Sequence, residues 1–173
     1  MSLRNDKEVV MAAIKRDLCD HSIALKYASS ELMRDPDFVI SAYTVYKYRD
    51  MLSNKRELIL KYISDELKAN REFVLEVVKV DGIALGDMNT SFRDDREVVM
   101  AAVTQNGMAL EYADVDFRND REVVMVAIQS DGYALRYANV NLRNDREVVI
   151  VAVSEDGEAL EFAHADFRAD REV

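Results

Sequence analysis

Apolar and polar positions repeat along this chain in one order. A charged run leads into about six apolar residues, then a glycine, then Ala-Leu-x-Tyr-Ala. The clearest copies open at Phe92-Arg93-Asp94-Asp95-Arg96-Glu97-Val98-Val99, Phe117-Arg118-Asn119-Asp120-Arg121-Glu122-Val123-Val124 and Leu142-Arg143-Asn144-Asp145-Arg146-Glu147-Val148-Val149. Phe167-Arg168-Ala169-Asp170-Arg171-Glu172-Val173 opens another. Arg71, Arg96, Arg121, Arg146 and Arg171 stand 25 residues apart, a fixed period of the kind that marks stacked supersecondary units.

Within one unit the pattern predicts two helices. Asp94, Asn119 and Asn144 are followed three residues later by Glu97, Glu122 and Glu147, the signature of a capping box, so a first helix is expected from Asp95 to Asn106. Gly82, Gly107, Gly132 and Gly157 recur eleven residues past each anchor, where a left-handed residue commonly closes a helix. Ala109–Ala113 and Ala134–Ala138 predict a second helix of two turns, too short to be stable alone. Pro36 takes the place of Arg96, inside a first turn, where a missing amide hydrogen costs little. The run Val123 to Ile128 is apolar on nearly every side, whereas a surface helix shows one stripe. A single unit cannot cover such a helix, but neighbouring units can. Although the β-branched content would suit strands, strict alternation is absent. The expected fold is all-α: a solenoid-like array of short helix-turn-helix repeats, about 25 residues each, with a degenerate middle.

Units begin near Leu3, Leu32, Leu52, Leu67, Phe92, Phe117 and Leu142, with a partial unit from Phe167, so residues 1–173 read as a single array. The early units vary in length. Ile14 to Leu25 holds four residues more than Val103 to Leu110, about one helical turn, which predicts a longer first helix in the first unit. Ile63 to Leu67 lacks ten residues relative to Val103 to Phe117, which predicts loss of a second helix there. The array therefore departs from its own rule between Thr44 and Asn70.

The motif Leu/Phe-Arg-Asn-Asp-Arg-Glu-Val-Val, followed by Ala-Val/Ile, Gly and Ala-Leu-x-Tyr-Ala, resembles the repeat family known as domain of unknown function 4116. The resemblance covers Leu3 to about Val39 and Asn70 to Val173 well, and Thr44 to Ala69 poorly. It implies multi-copy helical repeats of the kind found in bacterial and some other microbial proteins. It brings no activity, catalytic residue or cofactor.

Charge narrows the function classes. The net charge is -10, and it is unevenly placed: residues 1–92 hold 14 basic against 15 acidic side chains, residues 93–173 hold 9 against 18. No lysine follows Lys79. An acidic field repels phosphate backbones, so nucleic-acid binding by the later half is disfavoured. Cys19 is the only cysteine, which removes a disulfide framework. The longest apolar runs are six residues, against about 20 for a membrane span, and the first residues carry charge with no apolar signal-peptide region. A cytoplasmic address is the default expectation, with delivery outside the cell left open, and no membrane partner is expected.

Candidate chemistry is sparse. The paired arginines, Arg93 with Arg96 and their equivalents, could bind oxyanions, but each lies within three residues of a carboxylate, and salt bridging between repeats is the favoured reading. Asp114-Val115-Asp116 superficially suggests a calcium loop, yet Arg118, Asn119 and Met125 fall where an EF-hand needs an oxygen ligand, Gly and Glu, leaving a polar turn. Cys19 with His21, and a distant His164, fall short of the four ligands of structural zinc. No phosphate loop or nucleophile elbow occurs, so the expectation is a protein that is not an enzyme and needs no cofactor, with an enzyme whose site follows no recognised motif as the third reading. The middle segment differs: Tyr46, Lys47, Tyr48, Arg49, Lys55 and Arg56 interleave aromatic and basic residues of the types that concentrate binding energy, while Tyr43 aligns with Val103 and reads as core. These six are the candidate partner-binding residues, for a protein or peptide, or alternatively for single-stranded nucleic acid. Val148, Val149, Val151, Ala152, Leu160 and Phe162 form an apolar face of the last full unit. A longer array or a homodimer through that face is expected to cover it.

Overall fold

The computed structural model describes residues 6–16, 22–49 and 55–169. The described residues form helices joined by short turns, with no strand among them, and the chain divides into two compact units, residues 1–77 and 78–173.

Residues 78–173 carry the regular repeat. The long helices are α7 (Arg96–Gln105), α9 (Arg121–Ser130) and α10 (Arg146–Glu155), one residue shorter at each end than the sequence pattern predicts. The reason is a cap displaced by one position. Asp95, Asp120 and Asp145 are the N-cap residues, and each carboxylate accepts from two backbone N–H groups, those of Glu97 and Val98 in α7 at 3.1 and 3.2 Å. Aspartate at an N-cap both satisfies stranded donors and opposes the positive helix end, so the expected capping box with Asp94, Asn119 and Asn144 does not form.

The glycines also act differently from the expectation. No described residue has a positive φ, so Gly107 and its equivalents are not left-handed helix closers. The helix is ended one residue earlier by Asn106, Asp131 and Asp156, each in extended backbone with its side chain accepting from the N–H two residues on. That local bond competes successfully with helix continuation. Glycine follows because the next repeat comes too close for a side chain. A Cβ on Gly82 would overlap the Ala102 carbonyl, and on Gly107 the Ala127 carbonyl.

From each glycine the chain runs as a six-residue 3-10 segment, Gly107–Tyr112 or Gly132–Tyr137, in place of the expected two-turn α-helix. These segments stack, Gly82–Asp87 on Gly107–Tyr112, then Gly132–Tyr137, then Gly157–Phe162. A third short element completes each repeat: the turn Thr90–Asp94, α8 (Val115–Asn119), the turn Leu142–Asn144 and α11 (Ala165–Ala169). Thus Asp114 to Asn119 is a capped helix with Asp114 as N-cap rather than an open polar turn. Backbone bonds of 2.9 Å from Asp114 to Arg93, Asn139 to Arg118 and His164 to Arg143 tie this element to the repeat before it. Val98, Val99, Ala102 and Val103, with Leu110 and their equivalents one period on, form the continuous core.

The two arginines of a repeat do different things. Arg96 reaches across to Asp120 at 2.6 Å and Glu122 at 2.5 Å, and Arg121 reaches Glu147 at 2.5 Å. Arg93 instead donates to the Gly86 carbonyl at 3.1 Å, and the Nε of Arg93, Arg118 and Arg143 is buried with no acceptor. Asp120 consequently serves two repeats, capping α9 and receiving Arg96. The Arg96 hydrogen bond, then the Val123 and Glu122 N–H groups, hold its carboxyl below the ordinary value against an opposing desolvation. With a folded-state pKa below the unfolded value of about 3.9, Asp120 contributes stability that is fully present above about pH 4 and lost as pH falls through the folded pKa. Asp120→Ala is expected to cost about 1 kcal/mol at pH 7, and that deficit should shrink below pH 4 in urea titrations. A deficit unchanged between pH 7 and pH 2 would remove the ionised cap from this role.

Residues 1–77 hold α1 (Lys7–Arg16), α2 (Ser22–Tyr27), the turn Leu32–Arg34, α3 (Pro36–Arg49), α4 (Lys55–Tyr62) and α5 (Asp65–Lys68), and α6 (Arg71–Val80) continues into the second unit. Pro36 is the first residue of α3, behind Asp35, whose carboxylate accepts from Phe38 at 3.1 Å and pairs with Lys7. The described part of α1 has ten residues, as α7 does, and the residues inserted before α2 fall within 17–21, outside the described set. α1 packs on α2 and α3, and α4 on α2 and α3, around Ile14, Leu25, Val39, Ile59 and the buried Tyr43. Among the described residues no helix is long and apolar enough to cross a membrane.

Candidate functional site

Where the repeat is shortened, the structure opens a groove. α4 is followed by buried Ile63 and then Ser64, whose hydroxyl accepts from the Leu67 N–H at 3.3 Å and starts α5. No 3-10 segment intervenes between α4 and α5. α2 therefore has α4 beside it, where a regular repeat would stack two 3-10 segments. Between them lies an open cavity of 280 Å³. Leu25 and Met33 form its buried floor, Tyr62 and Ser64 one wall, and Lys26 and Arg34 stand exposed at the rim. The Glu66 carboxyl is held below its ordinary value by its own backbone N–H first, then the Ser64 hydroxyl, with the Arg34 charge adding to both.

The sequence-derived candidates are only partly placed. Tyr46, Lys47, Tyr48 and Arg49 belong to the last turn of α3, and Lys55 and Arg56 to the first turn of α4, but their side chains lie outside the described residues. Leu25, Met33, Arg34 and Ser64 were missed, because no single stretch contains them. The ten-residue deletion after Ile63 was the available signal, since removing one layer of a stack leaves its neighbour uncovered.

A second aromatic surface, on the stacked 3-10 segments, is occupied by the repeats themselves. Tyr133 and Phe162 meet with ring centres 5.5 Å apart, and the Arg136 guanidinium lies 5.6 Å from the Tyr137 ring centre and 5.9 Å from that of Phe162. The Tyr133 hydroxyl donates to Glu158, which pushes its pKa up to about 12. Burial, then a bond with Glu111, raises that of Tyr137. These side chains bind neighbouring repeats to one another. Among the described residues no three or more His, Cys, Asp and Glu side chains are grouped as metal ligands. His164 faces Asp166 at 3.2 Å, and Cys19 and His21 lie outside the described set.

No curated protein and no solved structure matches the chain. The family model described as Domain of unknown function (DUF4116) matches residues 51–93 and 95–143 in two adjacent copies, just over half the chain. By that match, and by the helical repeats in which it lies, the chain belongs to the DUF4116 family.

Proposed function

We propose that this protein is a non-enzymatic helical-repeat scaffold that binds a protein or peptide, with the groove between α2 and α4 as its receiving site. The observation that carries the reading is the groove's chemistry: an apolar floor of Leu25 and Met33 beneath the cationic rim of Lys26 and Arg34. Sites of this kind take an apolar anchor and fix its orientation through a few polar contacts. The fitting ligand is a short acidic segment that presents one apolar side chain. Lys47, Arg49 and the neighbouring tyrosines carry the same basic, aromatic character along the sequence.

Selection of displayed peptides against the full chain is expected to return acidic sequences with a shared apolar position. Arg34→Glu should weaken the selected peptides at least tenfold while altering stability by less than about 0.5 kcal/mol, as exposed charges generally do. Reversal at Lys47 and Arg49 should weaken them as well if the middle segment contributes. Unaltered binding by the Arg34 variant would remove the groove. A single-stranded oligonucleotide that binds in low salt and is lost steeply at higher salt would favour the nucleic-acid reading instead.

A further inference from the structure

The groove between α2 and α4 is lined by two copies of one short pattern. In α2, Leu25 is 2% exposed, and Lys26, the next residue, stands in solvent. In the turn Leu32–Arg34, Met33 is 6% exposed, and Arg34, again the next residue, stands in solvent. Each floor residue therefore has a cation on the adjoining Cα, about 3.8 Å along the chain. Apolar surface and positive charge meet within one cavity of 280 Å³.

The other polar side chains of the lining are hydroxyls. Ser30 and Tyr62 both border the cavity, and among the described residues neither hydroxyl has a hydrogen-bond partner and the Arg34 guanidinium has no ion pair. Glu66 feels the Arg34 charge, but its carboxyl is engaged by its own backbone N–H and by the Ser64 hydroxyl. No carboxylate is among the residues that line the cavity. Since arginine and lysine side chains can only donate, the groove calls for an anion with acceptor oxygens and disfavours a charged amino terminus.

How that anion is joined to the apolar group follows from size. Ligand sites run from about 300 to 1,000 Å³, so this cavity is small and holds one side chain with its adjoining backbone. In an extended peptide successive side chains point to opposite faces, so an Asp or Glu beside the anchor would face away from the floor. The next residue on the anchor's own face lies about 7 Å farther on. Only the last residue of a polypeptide carries an apolar side chain and a carboxylate on the same Cα. We propose that the groove captures the free C-terminus of a partner polypeptide, with the last side chain, an apolar one, on Leu25 and Met33 and its α-carboxylate against Arg34 and Lys26. The Ser30 and Tyr62 hydroxyls supply further donors to the same carboxylate. This deepens the peptide-binding reading of the groove and rests on it.

Two libraries of random peptides screened against the full chain test it, one displayed with free C-termini and one tethered through the C-terminus. The first is expected to return peptides ending in Leu, Ile, Val or Met, and the second to return none of comparable affinity. For a selected peptide made as the free acid and as the C-terminal amide, fluorescence polarisation should find the amide weaker by about tenfold or more, the scale of hydrogen bonds to an ionised group. Two glycines added after the anchor should weaken it as much, because they keep a carboxylate but move it off the anchor's Cα. Arg34→Gln should weaken the acid, leave the amide nearly unchanged and so close the gap between them, and Arg34→Lys should restore part of it. Unchanged amide binding also shows that the floor is intact in the variant. Equal binding of acid and amide, or full affinity in the glycine-extended peptide, would overturn C-terminal capture and leave the groove to internal acidic segments. A gap that survives Arg34→Gln would overturn it too, by placing the carboxylate elsewhere. Failure of both libraries would remove the peptide-binding groove itself, and this inference with it.

Discussion

Gly107→Val is expected to lower the melting temperature of the second unit by about 12 °C or more, while Gly157→Val leaves it nearly unchanged. The two glycines hold equivalent places in identical local sequence patterns, Asn/Asp-Gly-x-Ala-Leu, and neither has a positive φ. Backbone strain therefore cannot separate them. A Cβ on Gly107 would instead drive into the Ala127 carbonyl and approach the Asp131 Cβ at 3.0 Å. The carbonyl belongs to the middle of α9 and cannot rotate away without giving up its place in the helix. Overpacking of this kind costs up to about 3 kcal/mol or more, and at 4–8 °C per kcal/mol for a domain near 100 residues the shift follows. Calorimetry on dilute protein, with Gly82→Val and Gly132→Val alongside, provides the comparison. Equal losses at all four glycines would return them to a conformational role, and equal tolerance would deny the close approach altogether.

The glycines also show where reading the residues alone reaches its limit. Their period was plain, but a recurring glycine has two causes, a left-handed backbone or a crowded one, and the flanking residues do not distinguish them. The crowding partner lies 20 residues on, in the next helix, and its only trace in the sequence is the matching recurrence of Ala102, Ala127 and Ala152. The helix starts were legible to within a residue because capping is local: an aspartate or asparagine had to precede Arg96, and the error lay in choosing Asp94 over Asp95. The second element was assigned the right place and the wrong geometry. The six residues Gly107–Tyr112 leave little room for i to i+4 bonds, and 3-10 turns suit short connectors. The groove was least legible of all. Its floor and rim come from α2, the turn after it and the end of α4, and only the missing layer after Ile63 hinted that these would be left uncovered.

Leu110→Ala should destabilise the second unit by about 2 to 5 kcal/mol, the range for fully buried large-to-small changes, and Leu160→Ala by less than half as much. Both leucines follow the same Gly-x-Ala, and each belongs to a 3-10 segment packed on the helix of its own repeat. Leu110 is 0% exposed because the next repeat closes over it, whereas Leu160 is only half-buried. The difference between the two variants therefore isolates the contribution of the following neighbour, the coupling on which a stacked array depends. Urea unfolding measures it directly. Leu135→Ala, with a repeat on each side, should behave as Leu110→Ala does. Equal losses for Leu110 and Leu160 in dilute solution would mean that each repeat is stabilised from within, contrary to the stacking account.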